Sequence, residues 1–244
     1  MGLDGYNVRM SLVISKNDSW KMFDQIAKRY DLLNRLLSLG QDEAWREEIR
    51  THLPSKENFD LLDIATGTGD VTITLVKDNP NVHMAYGVDL AEGMLAIARE
   101  KIKVQGLQSR IMLEKADAQA LPFLEGTFDA VTIAFGIRNI PDLRLGLMEM
   151  YRVLRKDGRV VILEFSLPQN LFVRAGHWVY INSIVPLIGL LLSGHTGAYR
   201  YLAQTIESFP YGDRFCKILK QMGFVNVRLK TLMGGTATVY WADK

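Results

Sequence analysis

The sequence predicts an α/β fold: a doubly wound, mostly parallel seven-stranded sheet with an antiparallel last strand, flanked by helices and roofed by an N-terminal and an inserted helical cap. Three observations carry this expectation. From Asp60 onward, short apolar runs alternate with runs of helical periodicity, the pattern of a parallel sheet with right-handed crossovers. The first apolar run, Leu61-Leu62-Asp63-Ile64-Ala65, is followed at once by Gly67-Thr68-Gly69, a turn able to bring backbone tightly against a ligand. The chain closes on two strand-like runs joined by Met233-Gly234-Gly235, a hairpin that sends the last strand into the sheet antiparallel.

Taken in order, residues 1–17 are polar and without strong periodicity, and are expected to be a mobile tail or flap. From Ser19, Met22, Phe23, Ile26, Tyr30, Leu33 and Leu37 recur at helical spacing, with Asp18 or Ser19 as a cap. A second helix carrying Trp45 and Ile49 follows Gly40. Strands are expected at 60–65, 83–89, 110–115, 128–135 and 158–165, with helices at 70–78, 92–105 and 142–154 between them. A helix at 212–222 precedes strands at 225–231 and 236–242. The whole reads as one domain over residues 1–244: helices at 18–58, a core at 59–166, an apolar cap at 167–211, then the terminal helix and hairpin.

Ligands of such sheets bind at the carboxyl ends of the strands, where Gly67, Asp89, Asp117 and the run after Phe135 all fall. Asp89 closes the second strand where an acid hydrogen-bonds ribose hydroxyls. A dinucleotide fingerprint needs a third glycine after Gly69, and Thr72 stands there instead, which argues against NAD. Asp70 opens the following helix with negative charge where a pyrophosphate would sit, and is better tolerated beside a cationic or neutral ligand. S-adenosylmethionine, a nucleoside carrying a sulfonium and an amino group, meets these requirements.

The run Asp63-Ile64-Ala65-Thr66-Gly67-Thr68-Gly69-Asp70 with Asp89 downstream resembles the first cofactor motif of class I methyltransferases, which have a Rossmann-like fold. Tyr30-Asp31-Leu32-Leu33-Asn34-Arg35-Leu36-Leu37-Ser38-Leu39-Gly40 followed by Trp45-Arg46 is similar to the first signature of the menaquinone and ubiquinone biosynthesis C-methyltransferases. Phe135-Gly136-Ile137-Arg138-Asn139, Arg152-Val153-Leu154, Leu163-Glu164-Phe165-Ser166 and Tyr199-Arg200-Tyr201-Leu202-Ala203 continue the resemblance, which spans residues 20 to 242. It departs at three places: Asp42 where the family usually has His, Ala134 where it often has Ser, and Lys156-Asp157 for its usual Pro-Gly.

The resemblance implies that Asp63, Gly67, Thr68, Gly69, Asp89, Asp117 and Ala118 bind S-adenosylmethionine, Asp117-Ala118 reading the adenine. A loop carboxylate that merely ends a strand would look the same, but Leu121-Pro122-Phe123 with Phe128-Asp129 matches the family's continuation and favours adenine. It also implies C-methylation of a polyprenylated quinol, demethylmenaquinol or the methoxy-benzoquinol of ubiquinone synthesis. Arg138 and Asn139 are the candidates to hold the developing oxyanion, with Tyr30 and Asp31 on the acceptor side. Arg138 has a plainer reading, pairing with a neighbouring carboxylate such as Asp142, against which its strand-end position speaks. No proton-accepting residue is identified, since arginine stays protonated. Two other readings stay open: a methyltransferase acting on another small lipophilic acceptor, and a non-catalytic lipid-binding protein that kept the fold.

Composition narrows the partners. Of 244 residues 48% are hydrophobic, ample for a core, and a net charge of +2 with both signs interspersed provides no basic stripe for nucleic acid. The single cysteine, Cys216, excludes an intrachain disulfide, and His52, His83, His177 and His195 lack metal-ligand spacing, so no metal is expected. His195, near the cap, is placed to aid proton transfer or is simply solvated or packed. No secretory signal or transmembrane span is expected; the apolar run from Leu171 to Gly194 is broken by Asn182, Ser183 and Pro186. Read from composition it is either a core helix or an apolar cap that receives an isoprenoid tail, and the resemblance favours the cap. A cytoplasmic protein peripheral to the inner face of the membrane is expected, and whether it forms a homodimer is open.

Overall fold

The switch in strand order, where open α/β sheets place their ligands, falls between the first and fourth strands of a seven-stranded sheet whose spatial order, by position in the chain, is third, second, first, fourth, fifth, seventh and sixth. The computed structural model describes residues 15–38, 40–180, 183 and 196–244. The strands are β1 (Phe59–Ile64), β2 (Val82–Asp89), β3 (Ile111–Lys115), β4 (Phe128–Ala134), β5 (Leu154–Phe165), β6 (Val225–Leu232) and β7 (Ala237–Asp243). β1 to β5 run parallel, and β7 slots antiparallel between β5 and β6. The helices described are α1 (Ser19–Leu37), α2 (Asp42–Thr51), α3 (Asp70–Asp78), α4 (Glu92–Val104), α5 (Leu143–Val153), α6 (Leu171–Val179), α7 (Thr196–Ser208) and α8 (Asp213–Gln221).

The central strands are apolar on both faces because helices cover both. Leu61, Leu62, Ile64, Val131, Ile133 and Ile162 are buried, each contributing about 1.5–3 kcal/mol by removal from water. One core lies on the α5 and α8 side, the other on the α2 and α3 side. The edge strand β6, paired only on one side, alternates exposed and half-buried residues instead.

Two boundaries differ from expectation. β5 starts at Leu154, directly out of α5, not at residue 158. The register of β4 and β5 shifts between Phe128 and Ala130, and Asp157 takes a φ of +63° there. That left-handed conformation is the one the family's Pro-Gly would supply from its glycine, so the departure from the family pattern leaves a side chain where glycine is unstrained. At the N-terminus, the expected tail of residues 1–17 ends in a 3-10 turn, Lys16–Asp18, capped by Ser15 and leading into α1. Residues 1–14, and His195 with most of the apolar run beyond Tyr180, lie outside the described residues.

Candidate functional site

The ends of β1 and β4 are shaped unusually. Ala65 and Phe135, the residues that follow them, both adopt left-handed φ values, +52° and +55°. Such backbone costs roughly 1–3 kcal/mol per residue and clusters at binding sites. Gly136 lets the two strand ends meet, since a Cβ there would lie 2.5 Å from that of Ala65. Two cavities open from this floor, and Phe23, Tyr30, Ala65, Gly67, Ala134 and Phe135 line both.

The first cavity, about 370 Å³, is bordered by Asp89, Asp117, Ala118, Asn139, Met94 and Trp20. Asp89 accepts from Gly67 N and Ala91 N, both at 2.9 Å, so its carboxylate is held by the backbone of the glycine turn and of the next loop. Burial pushes its pKa up against those hydrogen bonds. Asp117 is held by Gln119, whose backbone N lies at 2.9 Å from Oδ1. Asn139 Oδ1 is buried without a hydrogen-bond partner among the described residues. The polar groups noted here are therefore largely acceptors, matched to the ribose hydroxyls and exocyclic amine that a nucleoside offers as donors.

The second cavity, about 130 Å³, is walled by Met22, Ile26, Val71, Leu163, Phe165 and Leu202 and holds one buried cation, Arg138. Arg138 pairs not with Asp142, which caps α5, but with Glu164 on β5. Arg138 Nη1 donates to Glu164 Oε1 at 2.7 Å, and the Arg138 backbone N reaches Oε2 at 3.2 Å. The guanidinium also lies over the Phe165 ring at 5.2 Å. Tyr30, which lines both cavities, is half-buried, and burial raises its phenol pKa, so it stays protonated as a donor.

Several expected roles are redistributed. Asn139 does not stand beside Arg138 in one oxyanion pocket: the 3-10 turn Ile137–Asn139 sends Arg138 to the second cavity, which Asp42, Asp63, Asp70 and Arg46 also border, and Asn139 to the first. Asp31 lines neither cavity; it accepts from Thr68 Oγ1 at 2.6 Å and pairs with Lys101 at 2.6 Å, fastening α1 to the glycine turn. A second fastening is Gly93 N, which donates to Asp24 Oδ1 at 2.6 Å. Gly69 lines neither cavity either; its φ of +81° and a Cβ position 3.0 Å from that of Ala98 make it a packing glycine.

Asp63 is buried under three threonine hydroxyls, Thr66 at 2.8 Å, Thr72 at 2.6 Å and Thr132 at 2.7 Å. Thr72, singled out as a missing glycine, thus serves as a donor to the carboxylate under the turn. Asp70 does not need a cationic ligand, because Lys101 at 2.6 Å and Arg46 at 3.4 Å already neutralise it. Asp42, in the place of the family's histidine, is engaged by Arg46 at 2.7 Å and Ser38 at 3.1 Å.

Sequence reading missed Glu164 as a site residue, although a carboxylate among Val160, Val161, Ile162, Leu163 and Phe165 was a visible anomaly. It also gave no role to Lys16 and Trp20, whose turn closes over the first cavity. Among the described residues no group of three or more His, Cys, Asp or Glu is placed to hold a metal.

The ubiE/COQ5 methyltransferase family matches residues 12–244. The chain is 43% identical over 224 residues to the ubiquinone/menaquinone biosynthesis C-methyltransferase UbiE of Geotalea uraniireducens, covering 92% of this chain and 95% of that one. It is 44% identical over 223 residues to the demethylmenaquinone methyltransferase of Thermus thermophilus, covering 91% of this chain and all of that one (100%). Among solved structures, a SAM dependent methyltransferase from Aquifex aeolicus superposes with a TM-score of 0.59 at 20% identity, over 81% of this chain and 88% of that one. The Haemonchus contortus phosphoethanolamine N-methyltransferase 2, in complex with S-adenosyl-L-methionine, superposes with a TM-score of 0.62 at 16% identity, over 84% of this chain and 53% of that one. Both share the fold.

Proposed function

The chain belongs to the ubiE/COQ5 methyltransferase family, and from that premise we propose that it methylates a ring carbon of a polyprenylated quinol in respiratory quinone biosynthesis, using S-adenosylmethionine. The observation that carries this reading is the junction of the two cavities at Gly67, Tyr30 and Phe135: an acceptor-lined nucleoside chamber opens directly on an apolar chamber containing one buried cation. Demethylmenaquinol is the favoured acceptor, as the name of the Thermus relative suggests.

Asp89, Asp117, Ala118 and Asn139 would hold the nucleoside, with Gly67 supplying close backbone approach. When bound, S-adenosylmethionine supplies a methyl group made electrophilic by its sulfonium. Arg138 holds a quinol oxygen on the other side and stabilises the negative charge that gathers there as its proton is shared or lost. That charge enriches the neighbouring ring carbon, which would take the methyl group as the methyl–sulfur bond breaks and S-adenosylhomocysteine leaves, and would then lose its own hydrogen as a proton to water, restoring the aromatic ring. Glu164 keeps the guanidinium in place, and Tyr30, protonated, offers a hydrogen bond at the junction. Catalysis is then positioning and electrostatics, with α1 and the Lys16 turn excluding water.

α6 gives the reading its route for the tail. Phe172 is 90% exposed and Leu171, Val173, Trp178 and Val179 are exposed with it, an apolar surface of the kind that touches a bilayer from one side. No helix among the described residues is long and apolar enough to cross a membrane. The test is incubation with demethylmenaquinol and S-adenosylmethionine followed by mass spectrometry: menaquinol is expected, and a chain that binds the nucleoside but methylates only a different acceptor class would refute the quinol reading.

A further inference from the structure

The apolar cavity has more hydrogen-bonding capacity than the sequence suggested. Three side-chain donors that line it are buried with no partner among the described residues: Trp45 Nε1, Arg138 Nε and the Tyr201 hydroxyl. Each of these residues is only 5% exposed. A buried polar group without a partner is costly, so three of them on residues that line one cavity point to a ligand that supplies acceptors. Elsewhere among the described residues the only such atom is Asn139 Oδ1, in the nucleoside chamber.

The three donors sit on separate elements. Trp45 comes from α2 and packs edge-on to Phe165 with ring centroids 6.2 Å apart, while Arg138 lies over the same ring at 5.2 Å. Phe165 is therefore in contact with both the indole and the guanidinium. Tyr201 comes from α7, which packs against the Ile137–Asn139 turn that carries Arg138, so the two line the cavity from adjoining elements. The Ser19 hydroxyl beside Tyr201 donates to the Lys16 carbonyl at 2.9 Å, so toward the phenol it offers only an acceptor lone pair, with which a ligand oxygen competes.

We propose that Trp45 and Tyr201 are acceptor-binding residues that read the two ring oxygens separately, Tyr201 joining Arg138 on the oxygen that activates the ring and Trp45 Nε1 donating to the other. This rests on the quinol reading and goes beyond it, because it assigns each oxygen its own donor and makes the enzyme select a ring with two oxygens over one with a single hydroxyl. Indole N–H and guanidinium donate only, so both oxygens are bound as acceptors. Selection then follows from the penalty of leaving Trp45 Nε1 unpaired when the second oxygen is missing.

The experiment compares wild type, Trp45→Phe and Tyr201→Phe on a short-chain demethylmenaquinol and on the matching naphthol that lacks the hydroxyl away from the methylated carbon. S-adenosylmethionine binding is measured by calorimetry and folding by thermal melts. Wild type is expected to prefer the quinol about 10- to 100-fold in kcat/KM. Each variant should lose a similar factor on the quinol with S-adenosylmethionine affinity unchanged, and on the naphthol the Trp45→Phe loss should vanish while the Tyr201→Phe loss remains. Equal kcat/KM of wild type on both acceptors, or a Trp45→Phe loss that persists on the naphthol, overturns the assignment; the wild-type comparison holds even if a variant fails to fold. A wild type that binds S-adenosylmethionine but methylates neither acceptor refutes the quinol reading itself.

Discussion

Arg138 and Glu164 form an ion pair almost sealed from solvent, the guanidinium 6% and the carboxylate 0% exposed, with Nη1 2.7 Å from Oε1. Breaking a buried pair from one side leaves an uncompensated charge and costs about 3–5 kcal/mol, whereas replacing both partners by apolar residues of similar volume is often neutral. Glu164→Gln should therefore lower stability by about that amount in urea denaturation. The double variant Arg138→Met with Glu164→Met should regain most of the loss yet show no methyl transfer, which separates the pair's part in the fold from its part in the chemistry.

Asp89 holds the glycine turn and faces the nucleoside chamber at once. Asp89→Ala removes the carboxylate expected to take the ribose hydroxyls, and two charge-assisted hydrogen bonds of about 1.5–3 kcal/mol each correspond to a loss of about 100-fold or more in S-adenosylmethionine affinity. Calorimetry on the folded variant checks this, and an unchanged affinity would remove Asp89 from the site.

Asp129 provides the pH dependence. Burial alone would raise its pKa, but hydrogen bonds from Lys56 Nζ at 2.6 Å and from Asp60 N at 3.0 Å, with the charge of Arg155, outweigh it and hold the carboxyl below its ordinary 3.8. An acid depressed in the folded state stabilises above its unfolded pKa and loses that contribution as pH falls through the folded one. Wild type should thus exceed Asp129→Asn by about 1.5–3 kcal/mol at pH 7, with the gap closing below 3.8. Chemical denaturation across that range measures the gap.

Asp157 occupies a left-handed conformation inside the β5 bulge. Asp157→Gly relieves strain of about 1 kcal/mol against an entropic cost of about 0.5 kcal/mol or more in the unfolded chain, so a gain of at most about 0.5 kcal/mol is expected in chemical denaturation. No change in turnover should accompany it, the residue being remote from both cavities.

The sheet was legible in the sequence because periodicity and glycine position are local properties: α3 falls at residues 70–78 as expected, and the other strands and helices given bounds, β5 apart, lie within a residue or two of expectation. That Asp89, Asp117 and Ala118 border one cavity follows from the same local signals, Asp89 closing β2 and Asp117-Ala118 following β3. What the sequence hid depends on contacts made far along the chain. Arg138 finds its partner 26 residues away, Thr68 is clasped by Asp31 from 37 residues upstream, and Arg138 and Asn139, adjacent in sequence, serve different cavities because a 3-10 turn points them apart. Trp45 reads in the sequence only as part of the second helix and the family resemblance, and Tyr201 only as part of that resemblance; that both line one cavity depends on the fold.

The account stands most directly on where the methyl group goes. Single-turnover transfer from S-adenosylmethionine labelled in its methyl group to a short-chain demethylmenaquinol, with the product analysed by mass spectrometry and carbon NMR, should place the label on a ring carbon. Label found on oxygen, or no transfer from a protein that demonstrably binds S-adenosylmethionine, would contradict it.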